Sequence, residues 1–228
     1  MILCDHASNT VPSFVANGDL GLPPEDMGRH IAYDIGAAAV SSELGAMLNA
    51  SVLMSNFSRL VIDPNRGEDD PTLIMRLYDG SVVPANRLLS ADEKQERLDR
   101  CYRPYHQKID QELANFAAPV VISIHSFTPQ LKGRAPRPWH IGVLYANDTR
   151  LALPVMQQFS KSGDICLGDN EPYHGAIIGD TLDRHALGPG RLHVLIELRN
   201  DLIETEAGQK NWAARLAPVI KAAINAAR

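Results

Sequence analysis

The chain has 228 residues, of which 45% are hydrophobic and 21% are charged, and its 22 Lys+Arg and 27 Asp+Glu give a formal net charge of −5. This composition is typical of globular proteins and excludes the disordered, collagen-like and low-complexity classes. The mild acidity argues against a nucleic-acid partner, whose binding surface on a protein is usually basic. A chain of this length can bury one full core, so we expect a single domain over residues 1–228.

The sequence carries no signal for a membrane or for secretion. No run of about 18 apolar residues is present, so no membrane-spanning helix is expected. The chain begins without the basic and apolar regions of a signal peptide. Its 3 cysteines are too few, and odd in number, for a disulfide framework. We therefore predict a cytoplasmic protein with no membrane partner; the pattern does not indicate an oligomeric state.

Short strand-like runs alternate with longer helical segments along the chain. The predicted elements, in chain order, are a strand over 1–4, a helix over 27–48, strands over 51–57 and 60–62, a helix from 90 to about 116, strands over 120–124 and 140–145, a helix over 151–160, a strand over 193–196 and a helix over 206–226. The helix after 90 opens with Ser90-Ala91-Asp92-Glu93, a capping box. Such alternation predicts an α/β fold with helices on both faces of a mostly parallel sheet.

Two long segments, 127–139 and 168–191, are rich in turn-forming residues. The first contains Lys132-Gly133-Arg134-Ala135-Pro136-Arg137-Pro138. Two interpretations stay open for it: a solvated surface loop, or a basic lid over an anionic ligand, since long loops in compact domains are often functional.

Each of three predicted strands is followed directly by a side chain that can bind metal or transfer protons: His6, His125 and Glu197. In open α/β sheets, functional sites form at the carboxyl ends of the strands. Two imidazoles at such an edge suit zinc, and a carboxylate beside them can act as a ligand or as a general base. The alternative is structural: hydrogen-bonded histidines in the core, and a Glu197 that pairs with an arginine such as Arg199.

A fourth group of polar residues follows the predicted strand over 60–62. Asp63-Pro64-Asn65-Arg66 forms a turn in which an arginine fork and an amide can hold a carboxylate. The alternative is an ordinary turn in which Asp63 and Asn65 bond to backbone. In the predicted helix over 27–48, His30 and Asp34 are four residues apart, which fits either a surface ion pair or an Asp34 that reaches a metal.

The order of these motifs resembles the N-formylglutamate amidohydrolase family and covers most of the chain. The residues that carry the resemblance are Asp5-His6-Ala7-Ser8-Asn9, Ser58-Arg59, Asp63-Pro64-Asn65-Arg66, His125-Ser126-Phe127 and Ile196-Glu197-Leu198-Arg199-Asn200-Asp201. The same elements are similar to a reduced version of the zinc carboxypeptidase plan, which aspartoacylase-type deacylases share. The resemblance implies a zinc-dependent amide hydrolase with a phosphorylase/hydrolase-like, three-layer α/β/α sandwich and a mostly parallel or mixed central sheet.

The resemblance also implies roles for individual residues. Its implications are zinc ligation by His6 and His125, general-base catalysis by Glu197, binding of a substrate carboxylate by Asn65 and Arg66 with Arg59 nearby, and a weaker place in the substrate site for His185. Zinc carboxypeptidases have a glutamate three residues after the first histidine, whereas this chain has Asn9. We therefore favour Asp34 as the third ligand, with Asn9 as a neighbouring or substrate-contacting residue.

The predicted substrate is a small anionic N-acyl amino acid, N-formyl-L-glutamate or a similar compound. Two alternatives are a deacylase of another N-acyl acidic amino acid and a catalytically inactive, metal-free relative that binds anions. Asn9 at the position of a ligand favours the inactive relative, and the intact Glu197 and both histidines oppose it. Carboxypeptidase activity fits less well, because the chain is short and the glutamate is missing.

Overall fold

A six-stranded mixed sheet forms the centre of the fold in a computed structural model, which describes residues 1–227. The strands of the chain are β1 (Ile2–Cys4), β2 (Val52–Met54), β3 (Leu77–Tyr78), β4 (Ser81–Val82), β5 (Val121–Phe127), β6 (Ile141–Leu144), β7 (Leu167–Asp169) and β8 (His193–Arg199). The central sheet has the order β2-β1-β5-β8-β6-β7, and β3 and β4 form a separate hairpin. The strands β6 and β7 are parallel to each other and antiparallel to the other four.

Helices cover both faces of this sheet. They are α1 (Pro24–Met27), α2 (Ala37–Leu48), α3 (Ala91–Arg97), α4 (Arg103–Leu113), α5 (Ala152–Phe159) and α6 (Glu206–Ala227), with π-helical turns at Leu98–Tyr102 and Asp183–Leu187. The capping box at the start of α3 is confirmed: the Ser90 hydroxyl accepts the Glu93 N–H, and the Glu93 carboxylate accepts the Ser90 N–H. No helix among residues 1–227 is long and apolar enough to cross a membrane.

Two hydrophobic cores lie on opposite faces of the sheet. One contains side chains of α2, α5 and α6, such as Leu44, Phe159 and Leu216, against the sheet. The other contains the α3–α4 segment, with Tyr102 and Ile109 fully buried. Burial of each such side chain contributes about 1.5–3 kcal/mol. The predicted three-layer α/β/α sandwich is confirmed.

The predicted helix over 27–48 is largely wrong in its first half. Residues 28–36 form an irregular connection between α1 and α2, in which the Asp34 N–H donates to the His6 carbonyl over 2.9 Å. Gly36 precedes α2 with a φ of 79°, and a Cβ there would lie 2.2 Å from the Ile203 carbonyl oxygen. His30 and Asp34 therefore do not share a helix face.

The predicted strand over 60–62 is a turn. Its carbonyls bond to side chains rather than to a neighbouring strand: Leu60 O accepts from Asn86 Nδ2, and Val61 O accepts from Arg97 Nη1, each over 2.8 Å. The donors follow 26 and 36 residues later in the chain, so local sequence does not reveal them.

The strands β5 and β8 extend further than predicted. His125 and Glu197 lie near their carboxyl ends, within the strands, and are direct neighbours in the parallel pairing. The predicted loop over 168–191 contains the end of β7 and a π-helical turn, whereas 128–140 contains neither helix nor strand in the described chain.

Candidate active site

A cavity of about 290 Å³ opens at the carboxyl ends of β1, β5 and β8. Its lining includes seven residues that the sequence predicts: His6, Asp34, Arg59, Asn65, Arg66, His125 and Glu197. Loops and neighbouring strands supply the rest of its wall: His30, Tyr78, Ser126, Phe127, Leu144, Tyr173, His174, Gly175, Ile177, Asp180 and Leu195. Its volume is close to the lower end of the range of small-molecule sites, about 300–1,000 Å³.

His6, Asp34 and His125 meet at one point of this cavity, with ligand atoms within 4.8 Å of one another. The Asp34 Oδ2 atom lies 3.3 Å from His6 Nδ1 and 2.9 Å from His125 Nδ1. Asp34 reaches this position from the connection before α2, where its carboxylate also accepts the Ser126 N–H. All three residues are at most 2% exposed.

The outer nitrogen of each histidine binds a further carboxylate. His6 Nε2 lies 2.7 Å from Asp63 Oδ1, and His125 Nε2 lies 3.1 Å from Asp5 Oδ2. When each Nε2 donates its proton to the outer carboxylate, each Nδ1 can present a lone pair to the point that it shares with Asp34. Either a metal ion or protons on the Nδ1 atoms can satisfy this arrangement: burial opposes the charge on His125, but hydrogen bonds to Asp34 and Asp5 raise the pKa of His125 well above its ordinary value. Two nitrogens and one oxygen, with outer carboxylates that fix the tautomers, fit zinc in an open catalytic site.

Asp5 supports His125 from a fully buried position. Its carboxylate also accepts the hydroxyls of Tyr105 (2.8 Å), Thr181 (2.9 Å) and Ser123 (3.2 Å). Burial opposes its ionisation, but His125, His6 and the Tyr105 hydroxyl hold the pKa of Asp5 below its ordinary value. The sequence assigns Asp5 no role, although an acidic residue directly after a buried strand is a usable signal.

Asp63 supports His6 from the turn after residue 62. Arg59 Nη2 donates to Asp63 Oδ2 over 2.8 Å, and the Asn65 N–H donates to Asp63 Oδ1. Burial opposes the charge on Arg59, but Asp63 and Asp34 raise the pKa of Arg59 above its ordinary value. Arg59 is thus already paired with carboxylates and stabilises the turn.

Glu197 lines the cavity with a carboxyl group that lacks a hydrogen-bond partner at one oxygen. Its Oε2 atom is buried and has no hydrogen-bond partner among residues 1–227. Burial raises the pKa of Glu197 to about 7, partly offset by His125. A carboxyl group with such a pKa can both accept and release a proton near neutrality.

Asn65 and Arg66 line the cavity from the turn that carries Asp63. The Asn65 Oδ1 atom accepts the Thr181 N–H, which joins this turn to the segment over 173–183. Arg66 bonds only to neutral partners: its Nη1 donates to the Asn65 carbonyl and its Nε to Thr72. No carboxylate of the described chain lies within 4 Å of its guanidinium, so this charge is free for a ligand.

Two predicted site residues lie outside the cavity lining. The Asn9 amide donates to the Met27 carbonyl on the exposed side of the chain. His185 bonds through Nδ1 to Asp110 and through Nε2 to His106, on the face of the sheet that carries α4. Both residues are positioned by contacts with residues distant in the sequence, and a sequence motif carries no information about such contacts.

Comparisons with known proteins identify the family to which this sequence is similar. The sequence profile described as N-formylglutamate amidohydrolase matches residues 1–204. A curated N-formylglutamate deformylase of Pseudomonas aeruginosa is 34% identical over 107 residues, which are 39% of this chain and 40% of that protein. The match thus spans well under half of the curated relative.

Two crystal structures have the same fold. A gene product of Agrobacterium tumefaciens is 34% identical, with a TM-score of 0.92, over 99% of this chain and 90% of that one. N-formylglutamate amidohydrolase from Ralstonia eutropha JMP134 is 23% identical, with a TM-score of 0.71, over 99% of this chain and 93% of that one. The second similarity supports the fold alone.

Proposed function

The chain belongs to the N-formylglutamate amidohydrolase family, and on that premise we propose that it is a zinc-dependent hydrolase of N-formyl-L-glutamate or a similar N-acyl amino acid. The observation that carries the proposal is the convergence of His6, Asp34 and His125 beside the unpartnered carboxyl of Glu197. Residues 1–228 would form one catalytic domain.

The donor atoms that would hold zinc are His6 Nδ1, His125 Nδ1 and Asp34 Oδ2. Bound there, zinc would polarise the amide carbonyl and lower the pKa of water to roughly 7. Asp63 and Asp5 keep the two imidazoles in the tautomer and orientation that this binding needs.

Glu197 acts as the general base and proton shuttle. It takes a proton from the attacking water as the water oxygen bonds to the acyl carbon. The C–N bond then breaks, and Glu197 returns the proton to the leaving nitrogen. The products are formate, or another carboxylic acid, and the free amino acid.

Arg66 and Asn65 bind the substrate carboxylate. The planar guanidinium of Arg66 can form two parallel hydrogen bonds to a carboxylate, and the Asn65 amide can donate a further one. The fixed carboxylate holds the acyl carbon close to Glu197, which makes the attack effectively intramolecular.

Metal analysis and one assay test this function. We expect about one zinc per chain in protein purified without chelator, and formate release from a panel of N-formyl-L-amino acids that includes glutamate. Glu197→Gln should retain zinc and lose about 10²–10⁴ in kcat, the usual contribution of a general base. The matched control is Glu204→Gln, at an exposed glutamate outside the cavity lining.

Each outcome bears on a separate part of the proposal. Near wild-type turnover in Glu197→Gln would overturn the role of Glu197. Zinc without formate release from any member of the panel would move the reaction to a different acyl group. A chain that takes up no zinc after reconstitution would overturn the proposed function.

A further inference from the structure

Two buried tyrosines at the start of α4 donate their hydroxyls to two different parts of the site. Tyr102 ends the π-helical turn before α4, and Tyr105 lies three residues later in α4 itself. The Tyr102 hydroxyl donates to the Arg66 carbonyl over 2.5 Å, and the Tyr105 hydroxyl donates to the Asp5 carboxylate over 2.8 Å. One helical segment therefore contacts the proposed substrate anchor through one hydroxyl, and the support of a proposed zinc ligand through the other.

The partners of the Tyr102 hydroxyl fix the direction of its proton. Arg184 Nη2 donates to this hydroxyl over 3.1 Å, and the Arg184 guanidinium lies 5.3 Å from the centre of the Tyr102 ring. An arginine only donates and a carbonyl only accepts, so the hydroxyl proton points to the Arg66 carbonyl. Burial raises the pKa of Tyr102 to about 12, so this proton is present at neutral pH. The bond to Arg66 therefore has one direction only.

Arg66 receives its other hydrogen bonds from turns. Its guanidinium donates to the Asn65 carbonyl and to the Thr72 hydroxyl, and both residues lie in turns. Its carbonyl accepts a hydrogen bond from Tyr102 alone among residues 1–227. Tyr102 is fully buried in the hydrophobic core that contains the α3–α4 segment. Its hydroxyl is therefore the bond that joins the backbone of Arg66 to this core.

From these contacts we propose that the two tyrosines are positioning residues with separate roles. Tyr102 holds Arg66 where its guanidinium meets the substrate carboxylate, and Tyr105 holds Asp5 behind the proposed zinc ligand His125. Neither tyrosine lines the cavity, so each acts through the residue that it holds. This inference rests on the proposed function and adds two residues to it.

Phenylalanine substitutions remove each hydroxyl and keep the ring with its aromatic neighbours. Tyr102→Phe should raise KM about 2–10-fold, the usual contribution of one hydrogen bond, and should leave kcat and zinc affinity near the wild-type values. Tyr105→Phe should lower zinc affinity by a similar factor, measured by competition with a chromogenic chelator. It should leave KM near the wild-type value once zinc is saturating, because the Thr181 hydroxyl still connects Asp5 to the turn.

A double-mutant cycle distinguishes positioning of Arg66 from a general structural role. In an Arg66→Ala background, Tyr102→Phe should cause no further rise in KM, since the side chain that it positions is gone. An equal rise in both backgrounds would overturn the role of Tyr102. Tyr145→Phe is the matched control, because it removes a hydroxyl that binds Asp169 outside the cavity lining, and it should change neither KM nor zinc affinity.

Arg184→Met repeats this test without a change to the buried tyrosine. It removes the donor to the Tyr102 hydroxyl from an exposed position, so KM should rise by a smaller factor than in Tyr102→Phe. In a Tyr102→Phe background it should have no further effect on KM. An equal rise in both backgrounds would show that Arg184 acts independently of Tyr102 and would contradict the proposed network.

Binding to Glu197→Gln separates this inference from the reaction itself. Calorimetry should show that N-formyl-L-glutamate binds more weakly when Tyr102→Phe is added, by the same factor as the rise in KM, even if the wild type releases no formate. In that case the proposed reaction fails and the role of Tyr102 stands. Binding that Arg66→Ala weakens and Tyr102→Phe leaves unchanged would overturn the role of Tyr102 and leave the function intact. Unchanged zinc affinity in Tyr105→Phe would overturn the role of Tyr105.

Discussion

The cavity has two walls of different construction. The strand-end wall, His6, His125 and Glu197, lies at the ends of β1, β5 and β8, and its residues are at most 7% exposed. The loop wall consists of Asn65, Arg66 and Ile177, on segments that have no strand partners. Backbone hydrogen bonds between strands hold the strand-end wall in place. In the loop wall, a hydrogen bond from the distant Thr181 N–H to the Asn65 side chain holds the turn in place. We therefore propose that the strand-end wall carries the chemistry and that the loop wall determines substrate affinity.

Removal of the free charge on the loop wall should affect binding most. Arg66→Ala deletes a charge-assisted interaction of about 1.5–3 kcal/mol, so KM should rise roughly 10–150-fold while kcat stays near the wild-type value. Steady-state kinetics with the best substrate of the panel measure both constants.

Two further variants separate the anchoring role of Arg66 from a general effect of charge. Arg66→Lys keeps the charge but loses the planar fork, so it should recover only part of the affinity. Arg76→Ala removes an exposed arginine outside the cavity lining and should leave KM unchanged. A fall in kcat with unchanged KM in Arg66→Ala would contradict the division between the walls.

The supports behind the two histidines provide a second contrast. Asp5→Asn and Asp63→Asn each replace the acceptor of an Nε2 proton by an amide that can select the wrong tautomer. Zinc affinity should fall about 10–100-fold in both variants, the usual effect of losing such an outer partner. Competition with a chromogenic chelator measures it.

The two variants should differ in their effect on the substrate. Asp63 also binds Arg59 and the Asn65 N–H, so Asp63→Asn should raise KM in addition. Asp5 reaches the Asn65 turn only through Thr181, so Asp5→Asn should raise KM less once zinc is saturating. Asp110→Asn is the control, since Asp110 binds His185 outside the cavity lining. Equal KM values in Asp5→Asn and Asp63→Asn would show that the turn keeps its structure without the Asp63 carboxylate.

The same division explains what the sequence could predict. The positions of His6, His125 and Glu197 follow from hydrophobic runs that end in polar residues, because parallel neighbours bring their carboxyl ends together. Asp34 was expected on a helix and lies in a connection, although it reaches the same point. Local patterns carry no information on a carbonyl that is satisfied from 36 residues away, as Val61 is by Arg97.

Ile177 and Asp180 also line the cavity at positions that local sequence patterns do not predict. Both residues lie in the segment over 168–191, which the sequence predicts only as a turn-rich loop. The position of this segment at the cavity depends on the hydrogen bond from the Thr181 N–H to Asn65 Oδ1, 116 residues away. The place of Ile177 and Asp180 in the cavity lining was therefore not predictable from the local sequence.

The smallest expected effect concerns the turn that supports the loop wall. The Asn86 amide donates to the carbonyls of Leu60 and Met75 and accepts from Arg97, all in the interior. Asn86→Ala leaves these groups unpaired and should lower the free energy of unfolding by about 1–3 kcal/mol, measured by chemical denaturation.

Asn86→Ala should change KM, which the loop wall determines, and leave the proposed metal-binding residues unaffected. The turn carries Arg66, so KM should rise by less than about tenfold. Zinc content should not change, since the proposed donors His6, Asp34 and His125 do not bond to Asn86. Asn115→Ala, at an exposed position after α4, controls for the loss of an asparagine. Loss of zinc in Asn86→Ala with unchanged KM would show that the turn supports the proposed metal donors instead of the proposed substrate anchor, because the Asp63 carboxylate that accepts the His6 Nε2–H lies in the same turn.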